Sequence, residues 1–524
     1  MSNRDRDIAH LYHESTKLFY LDFPRKPPAY KQYRGLPPLA LPSDFAPLAL
    51  PALEAVAATL PPPDPPPALT LTTLAGLLFF AAGRIRTRHF AGVGEVSFRA
   101  AASAGGLYPI EVYVVCGDLP GLAAGVYHFS PTGFALHCLR QGDYRGPLAT
   151  AAGGDATVAS APATLVLTAL FWRSAWKYRV RSYRYCFWDS GTIVANLLAA
   201  ATAIGLPAGV LLGFVDTQVH HLLGLDGHHE ASTCLVRIGY ATDLPSLAET
   251  GQVPPLSVET IPSSIEEIDY PEIARLHTAS ALTTPEEVVD WRGTLATPPA
   301  QSTATQYPAY PLPSPLAAAS TLGDVIRQRG STRRFARDPV AFSRLSAILA
   351  HATTGVSADF LGPGDTSLLD LYLIVNAVTD LPSGSYAFIP QAQTLDLLRP
   401  GDFREEAGHL CFEQALGADA SVVVFCMANL ERVLQRFGNR GYRAVQWEAG
   451  AIGGKMYLCA GACGLGVSGL TFYDDDVTAF FAPHAAGKSV IFVVALGTTA
   501  RENRVRPFRS RIAMQLDARS RRDS

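Results

Sequence analysis

Residues 182–191 read SYRYCFWDSG, and residues 441–450 read GYRAVQWEAG. Laid over one another they are 259 positions apart, and the same offset recurs on both sides. EVYVV at 111–115 answers DLYLI at 370–374, GVYHF at 125–129 answers GSYAF at 384–388, and GDYR at 142–145 answers GDFR at 401–404. Gly205 lies over Gly464 at 259, and Gly239 over Gly497 at 258. One register held through apolar runs, turns and an alanine-rich stretch marks a tandem duplication, which fixes the architecture before any single motif is read.

Both copies spell the same order of elements. A helical run (LAGLLFFAAG; LSAILAHATTG) precedes a β-branched strand (IEVYVVC; LLDLYLIV), then a hairpin and a buried strand (ATLVLTALF; ASVVVFCMA). A long alanine-rich helix (DSGTIVANLLAAATAIGL; EAGAIGGKMYLCAGACGL) and a closing strand (STCLVRIG; SVIFVVALG) complete each copy. Strands and helices do not alternate strictly, so the fold class is α+β. Composition divides the chain into an N-terminal extension with a proline-rich spacer (1–69), a first domain (70–245), a Pro/Ser/Thr-rich linker (246–315) and a second domain (316–524).

At 524 residues and 48% apolar content the chain is long enough for two cores. A net charge of −3 offers no basic stripe, which argues against nucleic acid as a partner. The start, MSNRDRDIAH, alternates charges, no run is long and apolar enough for a membrane span, and eight scattered cysteines form no CxxC pair. These features predict a cytoplasmic protein with packed, reduced thiols.

The two copies differ in their polar words. RGSTRRF at 329–335 opens the second copy with Arg329, Ser331 and Arg333, and Arg509 and Arg511 follow its closing strand in PFRSR. The first copy has no such segment. It carries AASAGGLYP instead, with Ser103, Ala104, Gly105 and Gly106 ahead of a strand, where the second copy has Gly362 opposite Ser103 and Asp365 opposite Gly106. WKYR supplies Lys177 and Tyr178, which the second copy replaces by Arg436 and Phe437.

On these residues the sequence resembles the FMN-dependent nitroreductase superfamily, and within it the SagB/ThcOx-type azoline dehydrogenases. The likeness covers most of 70–240 and 320–511 and includes YHESTK at 12–17, similar to the lead-in of SagB-type chains. It implies two tandem nitroreductase-like domains, each a mostly antiparallel sheet flanked by helices, forming an intramolecular pseudo-dimer. In the family each FMN is held by two subunits. By that pattern Arg329, Ser331, Arg333, Arg509 and Arg511 hold the phosphate, through the bidentate fork that arginine offers an oxyanion. Ser103, Ala104 and Gly105 approach from the other copy, and Val467, Ser468 and Gly469 lie near the flavin N5. The complementary losses imply one composite flavin site per chain and one abandoned site.

The resemblance further implies the two-electron oxidation of a thiazoline or oxazoline ring of a modified peptide, or peptide-like intermediate, to the azole. Lys177 and Tyr178 would handle the proton, molecular oxygen would reoxidise the flavin, and a cyclodehydratase would be a partner. A lysine base must have its pKa lowered, by burial or by Arg173, Arg179, Arg181 and Arg184 nearby. Two other readings stand beside this one: a nitroreductase or flavin reductase acting on small molecules, and an inactive scaffold of a peptide-modifying complex. GLGVSG at 464–469 fits G-x-G-x-x-G but follows a helix, so it predicts no dinucleotide site. The histidines of HHLLGLDGHHE at 220–230 lack one-face spacing, and no metal site is expected there.

Overall fold

The computed structural model describes residues 3–4, 6–17, 27–57, 63–90, 94–242, 253–256, 258–261, 264, 267–293, 307–362 and 367–500. Two seven-stranded sheets carry it, and they have the same plan. The first runs Pro38–Ala40, Ala135–Gln141, Gly125–Ser130, Ile110–Cys116, Ala163–Leu170, Glu230–Ile238, Ala208–Leu211. The second runs Ala309–Pro311, Thr394–Pro400, Gly384–Ile389, Asp370–Val375, Val422–Ala428, Ser489–Gly497, Gly466–Leu470. Every pairing within the two sheets is antiparallel. Central strands such as Ile110–Cys116 and Val422–Ala428 are buried along their whole length. Helices cover both faces, so these strands read as continuous apolar runs and not as the alternation of a half-exposed sheet.

The halves meet along the two long helices, Ser182–Ala203 and Arg440–Ala462. They cross where Gly191 faces the backbone of Trp447 and Ala451, and Gly450 faces the backbone of Trp188. A Cβ at either glycine would run into the opposite main chain, so the 259-residue repeat places two bare backbones at the same crossing. The chain is thus an intramolecular pseudo-dimer with an approximate two-fold axis through that point.

Buried ion pairs repeat the symmetry. Arg440 and Arg443 each reach an Asp216 carboxylate oxygen at 2.6 Å. Arg181 and Arg184, their equivalents in the first half, reach Asp474 at 2.8 and 2.6 Å. Each aspartate opens a short helix, Asp216–Leu223 or Asp474–Phe480, where the helix dipole also favours negative charge. Burial alone would raise the Asp216 pKa, but the two guanidinium groups outweigh it and hold the carboxyl well below its usual range. His220 and His277 have ring nitrogens within 4.8 Å of this carboxylate, a spacing that could suit a metal. Both oxygens of Asp216 already face guanidinium cations, so the cluster works as an ionic knot between the halves.

Within 246–315, read from its composition as a linker, the described residues include the helices Pro271–Ala279 and Pro285–Gly293 and the edge strand Ala309–Pro311, the counterpart of Pro38–Ala40. Arg443 donates to the His277 carbonyl at 2.6 Å and to Ser280 Oγ at 2.7 Å. Arg184 donates to the His13 carbonyl at 2.6 Å and to Thr16 Oγ1 at 2.8 Å. LHTAS at 276–280 therefore does for the second copy what YHEST at 12–16 does for the first, and the duplication includes both lead-ins. A second reciprocal contact, Ala52 N–H to Ser320 O and Leu322 N–H to Leu50 O, relates the next pair of entry segments, 50–52 and 320–322, with an offset of 270.

Candidate functional site

The strand Gly94–Arg99 leads into the loop at 100–108, where Gly105 (φ 62°) and Gly106 (φ 66°) take left-handed conformations that a side chain resists. Asp189, on the long helix of the same half, holds the loop from beneath. Ser103 Oγ donates to one of its oxygens at 2.5 Å, and the Ala104 N–H donates to the other at 2.9 Å. Ser103 Oγ in turn accepts the Tyr108 N–H at 2.8 Å.

The helix Phe171–Tyr178 delivers Lys177 and Tyr178 to the same loop, and the chain turns away at Arg179 with φ 49°. A Cβ on Gly105 would lie 2.6 Å from the Tyr178 hydroxyl and 3.0 Å from Lys177 Nζ. The missing side chain is what lets both polar heads close over the loop. Burial pushes the Tyr178 phenol pKa far up, with Tyr185 and Asp189 adding to it and Arg333 opposing, so Tyr178 keeps its proton.

From the second half, the RGSTRR segment docks on the strand Gly466–Leu470. Thr332 N–H donates to the Val467 carbonyl at 2.8 Å, and Val467 N–H donates to Thr332 Oγ1 at 3.1 Å. Ser331 and Arg333 are thereby brought opposite Ser103, Ala104 and Gly105. One cavity of about 100 Å³ is lined by these five, by Tyr178, Tyr185, Trp188, Asp189 and Thr192 of the first half, and by Tyr457, Gly469 and Phe492 of the second. The Tyr457 hydroxyl accepts the Gly469 N–H at 2.8 Å and pairs with Ser331 Oγ at 3.0 Å.

Not every expected residue reaches this cavity, and Lys177 stands beside Gly105 without lining it. Arg329 is buried against the other half, donating to the Ala100 carbonyl at 2.6 Å and the Arg99 carbonyl at 3.2 Å, while Arg86 donates to its own carbonyl. Val467 and Ser468 are buried within their strand, and only Gly469 of that trio lines the cavity. Arg509 and Arg511, like Asp365, lie outside the described residues. Three of the arginines expected to act on Lys177 are committed elsewhere: Arg173 pairs with Glu111 at 2.6 Å, and Arg181 and Arg184 serve Asp474.

Asp189 is the group that the sequence reading passed over. Burial raises its pKa to about 7 against the hydrogen bonds from Ser103 and Ala104 and the charge of Arg99. A raised carboxyl contributes stability below its unfolded value near 4 and loses it as pH climbs through about 7. Asp189→Asn keeps an acceptor for Ala104 N–H and cannot ionise. The wild type should therefore lose stability relative to this variant between pH ~4 and ~7, by on the order of 4 kcal/mol or less, in paired denaturant titrations across that window.

The nitroreductase family pattern matches residues 64–240 and 326–498, once in each half. A nitroreductase-like protein of Methanocaldococcus jannaschii is 32% identical over 162 residues, covering 30% of this chain and 81% of its own. The microcin B17-processing protein McbC of Escherichia coli is 34% identical over 133 residues, 24% of this chain and 47% of McbC, so the match spans about half of that protein. The crystal structure of a nitroreductase-like protein from Anabaena variabilis superposes with a TM-score of 0.73 at 25% identity, over 94% of this chain and 99% of the other, so a single solved chain carries the same tandem plan. With two matched copies, two sheets of one topology and a cleft built from both, the chain belongs to the nitroreductase family.

Proposed function

We propose that the chain is an FMN-dependent oxidoreductase that dehydrogenates thiazoline or oxazoline rings of a modified peptide, or peptide-like intermediate, to azoles, with one composite flavin site per chain. The observation that carries the reading is the convergence of Ser103–Gly105, Lys177 and Tyr178 from one half with Ser331, Arg333 and Gly469 from the other. The similarity to McbC, a processing protein of a peptide product, supports a peptide substrate, and an azoline-forming cyclodehydratase is then the natural partner.

The donor set suits a flavin phosphate. Arg333 is exposed at the seam and offers a charged fork, and Ser331 beside it offers a hydroxyl that pairs with Tyr457. Across the seam the loop at 103–105 is made of small residues, with the Ser103 hydroxyl held by Asp189. The cavity of about 100 Å³ is small beside ligand pockets, which begin near 300 Å³. Its lining includes the Tyr457 hydroxyl, which takes up the Gly469 and Ser331 hydrogen bonds, and the Tyr178 hydroxyl over Gly105.

Bound FMN supplies the two-electron acceptor for hydrogen leaving the ring carbon as hydride. Lys177 takes the accompanying proton. Tyr178, held protonated by its burial, orients the substrate as a hydrogen-bond donor beside it.

Flavin content tests the accounting. Purified full-length chain saturated with FMN should release one FMN per chain. Arg333→Ala should weaken FMN by about tenfold to a hundredfold, the loss expected of one charge-assisted hydrogen bond, as read by fluorescence quenching. Two FMN per chain, or a protein that FMN does not reconstitute, would sink the composite site.

A further inference from the structure

The pseudo-two-fold axis that generates the Ser103–Arg333 seam also generates a second seam, and the chain there encloses a larger cavity, of about 530 Å³. Its walls come from both halves: Ala55–Ala57 and Pro63, the end of the helix Ser182–Ala203, Ala208, Arg237 and Tyr240 on one side, and Thr354–Ser357 with Lys455 on the other. The volume falls within the usual range for small-molecule sites.

Position by position, the inherited flavin groups have gone. By the 270-residue offset of the entry segments, Pro63 stands where the other seam has Arg333; by the 259-residue offset, Leu198 stands where it has Tyr457. Two cations have entered elsewhere. Lys455 occupies the position of Asn196, a neutral side chain that donates to the Phe80 carbonyl in its own half. Arg237 occupies the position of Ala495: it pairs with Gly209 across the strand ladder just as Ala495 pairs with Ser468. Its guanidinium covers Gly209, where a Cβ would lie 2.8 Å away.

Among the described residues neither cation is in direct contact with a carboxylate. Lys455 is only 4% exposed and gives two of its three N–H bonds to neutral oxygens, Thr354 Oγ1 at 3.0 Å and the Gly355 carbonyl at 2.6 Å. Glu448, the acid in its surroundings, accepts the Leu368 N–H and shares with Lys455, Gly355 and Val356 the lining of a small adjoining cavity, so its charge offsets part of the ammonium's burial without touching it. Burial pulls the Lys455 pKa down to about 8, partly offset by Cys459 and Glu448, so it stays largely charged at neutral pH. A buried ammonium with no carboxylate in contact is costly, and a cavity beside it is the place where a ligand can supply one.

We propose that this vestigial seam is a binding pocket for an anionic small molecule, a carboxylate carried on a flat apolar or aromatic body. The third N–H of Lys455 and the fork of Arg237 match the two oxygens of one carboxylate. Ala55, Val56, Ala199, Leu198 and Leu206 line the remainder and would take the apolar body. The assignment rests on the pseudo-symmetry and stands whether or not the other seam oxidises azolines.

Calorimetric titration of the FMN-saturated full chain with 2-naphthoate and with its uncharged amide, 2-naphthamide, tests it. One naphthoate should bind per chain, at least about tenfold tighter than the amide, with flavin content and visible spectrum unchanged. Lys455→Met and Arg237→Gln should each remove most of that preference. If Lys455→Met fails to fold, the half-buried Arg237→Gln carries the test, and Leu198→Trp, which fills the cavity, should abolish binding. Absence of binding, equal affinity for acid and amide, release of FMN by naphthoate, or full binding in Arg237→Gln would each overturn the proposal.

Discussion

Lys177→Ala should leave the protein yellow and lower kcat for azoline oxidation by about 10²- to 10⁴-fold, the range that a positioned general base contributes. Lys177 stands at the end of its helix with Nζ beside Gly105 and does not line the cavity with Ser331 and Arg333, so flavin retention and turnover should separate in this variant. Lys177→Arg should lose nearly as much, because a guanidinium keeps the charge and does not give up its proton. The measurement is the rate of flavin bleaching under anaerobic single turnover with an azoline peptide, alongside FMN content. A rate within a few-fold of wild type at full flavin loading would remove Lys177 from the chemistry.

Asp216→Ala should cost about 3–5 kcal/mol of stability, since it strands two guanidinium groups that have no access to water. Arg440 and Arg443 are each 1% exposed, and the hydrogen bonds left to them run to neutral atoms of Leu212, His277 and Ser280. Asp474→Ala should behave alike, as its pseudo-symmetric equivalent with Arg181 and Arg184. The pH dependence has a defined sign. Asp216 is held below its usual range, so its contribution is complete above pH ~4 and fades as pH falls further, and the variant should lack that part of the acid limb. Urea midpoints at pH 7 and pH 3 would report both effects, and a loss below 1 kcal/mol at pH 7 would mean that the knot does not hold the halves together.

The repeat made most of the fold legible, because a 259-residue register carries strand order and helix position together. SYRYCFWDSG over GYRAVQWEAG also contained the helix crossing, in Gly191 and Gly450, and the ionic knots, in Arg184 and Arg443. Their partners were hidden because Asp216 and Asp474 belong to the opposite copy, and a sequence read along one chain does not show an exchange across an axis. The lead-in at 276–280 was masked by proline, serine and threonine around it, and Pro38–Ala40 is three residues long, too short for a period to register.

At the site, Ser103–Gly105, Ser331, Arg333 and the Lys177–Tyr178 pair were named from the family resemblance and from what one copy keeps and the other lacks, and the structure brings them to one seam. Asp189 was not, since nearly all of its helix is buried and no apolar stripe distinguishes the one acid that braces a loop. Arg329 shows the converse: a residue type suited to a phosphate is spent on two backbone carbonyls of the opposite half.

A cleft shared by separate subunits empties when the protein is diluted below their dissociation constant. Here the two walls travel on one polypeptide, so each meets the other at a fixed local concentration set by the tether and by Gly191 against Gly450, whatever the amount of protein in the cell. Assembly of the cleft is a first-order event, and a scarce enzyme keeps it as fully as an abundant one.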